Sequence, residues 1–97
     1  MTDEEIKDLS EFYKVFSDPT RLRILFFLDK NSPCNVNSIA SSLSLSSNAV
    51  SQHLKILRLK RLVKYNKEGQ NIFYRLSDDH IHQLLSLGLE HYRELDV

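Results

Sequence analysis

The chain has 97 residues, 41% of them hydrophobic and 27% charged, and its thirteen basic and thirteen acidic side chains cancel. That length makes one domain with a core small enough to gain from oligomerisation, and a single cysteine, Cys34, excludes both a disulfide framework and a thiolate zinc cluster. No apolar run approaches the roughly 18 residues of a membrane helix, and the acidic start Met1-Thr2-Asp3-Glu4-Glu5 is unlike a signal peptide, so a cytoplasmic protein without a membrane is expected.

Ile6, Leu9, Tyr13 and Phe16 recur at helical spacing and predict a first helix over residues 4–16. A second begins at "SDPTRLRILFFL", with Asp18 as cap, Pro19 in the first turn, and Leu22, Leu25 and Phe26 as its buried face. After a polar connector punctuated by Pro33, residues 36–45 predict a short helix with Val36, Ile39, Ala40 and Leu43 inward. Residues 46–62 predict a longer, serine-capped helix with Val50, Leu54 and Leu57 on its core side. The period then falls to two. Val63 and Tyr65, a turn through Lys67-Glu68-Gly69-Gln70, and Ile72, Tyr74 and Leu76 predict a β-hairpin. Ser77 is expected to cap a closing helix of about 18 residues, with Asp78 and Asp79 in its electropositive first turn.

A short helix followed closely by one whose outer side is small and polar describes a helix-turn-helix. With the hairpin as its wing, the expected fold is mainly α with a β-hairpin: one winged helix-turn-helix domain over residues 1–97, its terminal helices serving dimerisation. Ser47, Asn48, Ser51 and Gln52 offer hydrogen-bonding groups to base edges, Asn and Gln suiting adenine's paired donor and acceptor. The zero net charge is also polarised. Residues 1–18 carry −4, residues 19–54 carry +2, residues 55–75 carry +6 and residues 77–97 carry −4. The basic run, from Lys55 to Lys67 and Gln70 at the wing tip, lies where phosphates would run. A solvated basic face, or a winged helix used for protein contacts, is the alternative. An enzyme is not expected, because no phosphate loop, nucleophile motif or paired acid and base is visible.

"SDPTRLRILFFL", "NAVSQHLKILRLKRLV", "EGQNIFYRLSD" and the C-terminal D-x-H…H-x-x-E, in that order over residues 9–95, resemble the ArsR/SmtB family of metal-sensing repressors. The resemblance implies a homodimeric winged helix that represses an operon from an inverted-repeat DNA operator and leaves it when metal binds. It also matches the family's DNA-contacting positions to Ser47, Asn48, Ser51 and Gln52, although Gln52-His53 stands where many members read His-Gln.

His80 and His91 of the closing helix fall within about 20° of each other on the wheel but about 16 Å apart along the axis, too far to share an ion within one chain. Glu94 follows His91 on the same face, and Leu84 and Leu87 fill the stripe between the two ends, while Ile81, Leu85 and Gly88 face the domain. Such a helix suits antiparallel pairing with its copy, giving two equal sites, each with Asp78 and His80 of one subunit and His91 and Glu94 of the other. Taken alone, these residues favour a plain dimer face bearing capping acids and surface histidines. The family's C-terminal-helix sensors place ligands at the positions of Asp78, His80, His91 and Glu94, which implies a metal site. Two imidazoles and two carboxylates suit tetrahedral zinc, two ions per dimer, with nickel or cobalt as the alternative. Zinc is then expected to act allosterically, His91 passing its second ring N–H toward Arg61 at the end of the recognition helix. His82, about 200° round from His80, is expected off this site. His53 is expected to meet solvent or phosphate. Asn35 and Asn37 stand where thiophilic sensors carry cysteines, with Cys34 out of register, so a sensor of arsenic, cadmium or lead is not expected.

Overall fold

The computed structural model describes residues 1–94. Its elements follow in the order α1 (Asp3–Val15), α2 (Pro19–Asn31), α3 (Val36–Leu43), α4 (Ser47–Leu59), β1 (Val63–Glu68), β2 (Asn71–Leu76) and α5 (Asp79–Glu94). The helices start where the sequence supplies acceptors for orphan backbone donors. Thr2 and Glu5 close a reciprocal capping box on α1, Asp18 caps α2 with Pro19 behind it, and Asn35 caps α3. Ser46 caps α4 by accepting from the Ala49 N–H at 3.1 Å.

Two helix ends use a non-glycine residue in the left-handed region. Ser44 (φ 57°) ends α3 and Arg61 (φ 62°) follows α4. At Arg61 the backbone closes a Schellman pair, Leu62 N–H to Leu57 carbonyl at 2.8 Å and Arg61 N–H to Arg58 carbonyl at 3.0 Å. The paired bonds and burial of Leu62 hold the chain there despite the side-chain penalty of that conformation.

The core is apolar throughout: Val15, Ile24, Leu25, Leu28, Ile39, Val50, Leu54, Leu57, Leu62, Val63, Ile81 and Leu85 are among its buried side chains. The expected inward faces of α3 and α4 hold. That of α2 is broader than expected, since Ile24 and Leu28 are fully buried while Leu22 and Phe26 are only partly so. As the central helix, α2 packs on α3, α4 and β2 with one side and lines a groove facing α1 and α5 with the other. A single helical stripe describes only one of these contacts.

The hairpin is antiparallel, with Val63 opposite Leu76, Tyr65 opposite Tyr74, Lys67 opposite Ile72 and Glu68 opposite Asn71. The turn is therefore Gly69-Gln70, two residues shorter than expected, and Gly69 supplies its positive φ of 62°. Cys34 joins the sheet edge through a two-bond bridge to Tyr74, at 3.0 and 2.7 Å, which ties the α2–α3 connector to the wing. The start of α5 also differs. Asp78, not Ser77, accepts from the His80 N–H at 2.9 Å, while the Ser77 N–H is committed to the Leu62 carbonyl at 3.0 Å.

Candidate DNA-binding face and divided ligand set

The helix-turn-helix is locked by three local devices. Arg23 of α2 donates to the Leu43 carbonyl at 2.8 Å and closes the C-terminus of α3. Ser44 turns the chain left-handed, and Ser47 at the start of α4 donates its hydroxyl to Asn37 of α3 at 3.1 Å. These bonds fix the angle at which α4 leaves the domain.

Ser47, Asn48, Ser51, Gln52 and Lys55 are all exposed on the outer side of α4. Among the described residues, the side chains of Asn48, Ser51, Gln52 and Lys55 make no hydrogen bond to the rest of the chain, which leaves their donors and acceptors open. Ser47 differs: its proton is engaged by Asn37, leaving its lone pairs to accept. Gln70 lies in the wing turn, and Lys67 stands in β1 opposite Ile72, both exposed. Arg58 belongs to the expected basic run, but sequence reasoning missed its packing on the wing: its guanidinium lies 5.3 Å from the centre of the Tyr65 ring. Tyr65 in turn packs on Tyr74 at 5.7 Å between centroids. Arg58 follows Lys55 by three and Ser51 by seven, so it shares their side of the helix. The stack pre-orients a planar cation between recognition helix and wing.

His53 departs from its expected place. It is half-buried, with Nδ1 enclosed and without a hydrogen-bond partner among the described residues, so it is turned away from solvent and phosphate. Its position on the wheel, beside Val50 and Leu57 rather than Ser51, explains this. It lies near enough to Asp18 to help hold that carboxyl below the usual range.

On α5, Asp78, His80, His91 and Glu94 are all exposed. The first two form one half-set, His80 Nδ1 lying 3.6 Å from the Asp78 carboxylate. His91 and Glu94 form the other, three residues apart on the last turns. Among the described residues, no three His, Cys, Asp or Glu side chains of one chain converge as a metal site. Between the half-sets, Leu84 and Leu87 are exposed, Leu87 by 63%, while Ile81 and Leu85 are buried on the other side. Gly88 lines the groove instead of the core, and nothing lies within 4 Å of the position a Cβ would take there. That groove, about 360 Å³, runs between Tyr13 of α1 and Phe16 just after it, Leu22 and Phe26 of α2, and Leu84 and Leu89 of α5. Ile6, Leu9 and Tyr13 of α1 extend it with further exposed apolar surface.

His82 turns away from this stripe and bonds Asp29 of α2 at 2.7 Å. Cys34 donates its thiol to the Asn31 carbonyl at 3.0 Å, and burial pushes the thiol up from its ordinary range, which disfavours the thiolate a soft metal requires. No helix among the described residues is long and apolar enough to cross a membrane.

The helix-turn-helix, the basic wing and an exposed polar recognition face define a winged-helix, DNA-binding transcription regulator, not an enzyme. Residues 18–65 match the bacterial regulatory protein, arsR family. The transcriptional repressor SmtB homolog of Synechocystis sp. is 36% identical over 96 residues, spanning 99% of this chain and 72% of that protein. The cadmium resistance transcriptional regulatory protein CadC homolog of Staphylococcus aureus is 33% identical over 88 residues, 91% of this chain and 73% of that one. The crystal structure of the AntR antimony-specific transcriptional repressor superposes with a TM-score of 0.83 at 30% identity, over 98% of this chain and 86% of that chain. This chain belongs to the arsR family.

Proposed function

We propose that the protein is a homodimeric repressor that binds an inverted-repeat operator through α4 and the wing and is released when zinc binds between the subunits. The observation that carries this reading is the division of α5: two exposed ligand pairs, Asp78 with His80 and His91 with Glu94, at opposite ends of an exposed leucine stripe. Neither pair alone saturates an ion, and antiparallel pairing of α5 with its copy completes two equal N₂O₂ sets. The apolar groove and the exposed faces of α1 and α5 support the dimer, since a partner helix would remove them from water.

One relative is named a transcriptional repressor, one a cadmium resistance regulator and one an antimony-specific repressor, which supports a metal- or metalloid-responsive repressor and leaves the ion open. The ligand chemistry of this chain favours zinc. It has no thiolate for a soft ion, and four nitrogen and oxygen donors fit a tetrahedral ion better than the six positions nickel or cobalt prefer. Ser51 and Gln52 read bases, with Ser47 and Asn48 beside them. Lys55, Lys67 and Gln70 hold the backbone.

Mixing His80→Ala with His91→Ala subunits tests the shared site. In the mixed dimer one site loses both histidines and the other keeps every ligand, so about one tight zinc per heterodimer is expected. Loss of tight binding in that heterodimer places both histidines of a site on one chain and sinks the geometry.

A further inference from the structure

His82 lies two residues beyond His80, hence about 200° around the helix, and reaches across to α2 with 54% of its side chain exposed. Its Nδ1 stands 2.7 Å from the Asp29 carboxylate, and its Nε2 lies 3.5 Å from the Ser86 hydroxyl one turn on. Asp29 is the informative partner. It sits in the last turn of α2, where the helix dipole disfavours a negative charge, and only 17% of its side chain is exposed. A carboxylate so placed needs a donor, and among the described residues His82 is the one that bonds it. The bond spans 53 residues of sequence and joins α5 to the end of α2 that feeds the α3 cap.

Resting on the reading of α5 as a shared zinc helix, we propose that His82 and Asp29 form a strut that sets the rotation of the first turn of α5 and so positions the Asp78–His80 half-site. With His82 held against α2, His80 is directed to the opposite side, in line with Leu84 and Leu87. Without the strut this turn keeps the buried Ile81 as its core anchor, but the Asp78 cap bond is local to α5 and fixes nothing relative to the domain. His82 is therefore a positioning residue, not a ligand.

The test measures zinc affinity of the full-length dimer by competition with a chromophoric chelator, with the visible spectrum of the cobalt(II)-loaded dimer as a second readout. His82→Ala and Asp29→Ala are each expected to weaken zinc about tenfold, the lower end for residues that orient ligands. The double variant should lose no more than either single one, because both remove the same bond. His82→Asn, whose side-chain amide places an N–H donor where the imidazole Nδ1 faces Asp29, should recover most of the affinity and leave the cobalt spectrum unchanged. Unaltered zinc affinity in both alanine variants overturns the strut, as does multiplication of their effects in the double variant. A His82→Asn protein as weak as His82→Ala, with an altered cobalt spectrum, makes His82 a ligand and overturns it too. A wild-type protein whose zinc binding is indifferent to His80→Ala and His91→Ala removes the shared site itself, and the strut with it. That outcome is distinct from normal wild-type binding with silent His82 variants, which removes the strut alone.

Discussion

Asp18 receives the Arg21 backbone N–H at 2.9 Å, and that bond, against some desolvation and with help from the Arg21 and His53 charges, holds its carboxyl below the usual range. A carboxyl depressed by folding stabilises the protein above its unfolded pKa, and that contribution is lost as pH falls through the folded value. Asp18→Asn keeps a capping oxygen but does not titrate, so its acid unfolding curve, followed by circular dichroism, should be shallower than wild type below about pH 4. Parallel curves would leave the carboxylate without a role in acid stability. On the outer side of α4, Ser51→Ala and Gln52→Ala should each cost about 1–3 kcal/mol for the specific operator and little on random duplex. Equal losses on both would reduce them to backbone contacts. The Asp18-Pro19 start was legible because cap and proline are local signals. The Ser47–Asn37 bond was not, because its partner lies ten residues away on another helix. The wheel alone would have turned His53 inward.

At the scale of elements, regular period and burial decided what could be read. Helix α4 buries one stripe, Val50, Leu54 and Leu57, and the 3.6-residue period found it. Helix α2 is covered on more than one side, so its fully buried Ile24 and Leu28 escaped a single-stripe reading. The wing's alternation gave its two strands but not their register, since Lys67 and Glu68 look like turn residues yet pair with Ile72 and Asn71. Gly69 takes φ 62° with open space around it, so Gly69→Ala meets backbone strain without a clash and should destabilise by about 1–2 kcal/mol, read from denaturant midpoints. An unchanged midpoint would mean that the turn relaxes to another type. The stack of Arg58 on Tyr65 gives the wing a second duty. Tyr65→Ala should weaken operator and random DNA alike, by about 0.5–1 kcal/mol, because a loosened guanidinium loses phosphate contact and not base readout.

At the scale of the molecule, the shared exposed side of His80 and His91 was legible because a helix projects residues 80 and 91 to one face, while their reading as zinc ligands rests on the family resemblance. The half-burial of His82's partner was not, since it depends on how α5 sits against α2. In the proposed dimer the zinc ligands lie on α5 and the reading groups on α4, so zinc must act by shifting the spacing or freedom of the two recognition helices. Such coupling is reciprocal: whatever factor zinc takes from operator affinity, the operator must take from zinc affinity. Arg61 offers a physical route. Its left-handed turn ends α4, and its N–H is spent on Arg58, but among the described residues its carbonyl accepts no backbone hydrogen bond. A zinc-bound His91 has one ring N–H left, and donating it to this carbonyl would fasten the dimer face to the recognition helix in one spacing. An N-methylated histidine at position 91 that keeps the ligating nitrogen free should therefore retain zinc. With a duplex selected from random sequence by the metal-free dimer, that variant should show most of the zinc effect on DNA affinity gone. Full release by zinc with the methylated ring would exclude the bond to Arg61 and leave rigidity of the paired α5 helices as the carrier of the coupling.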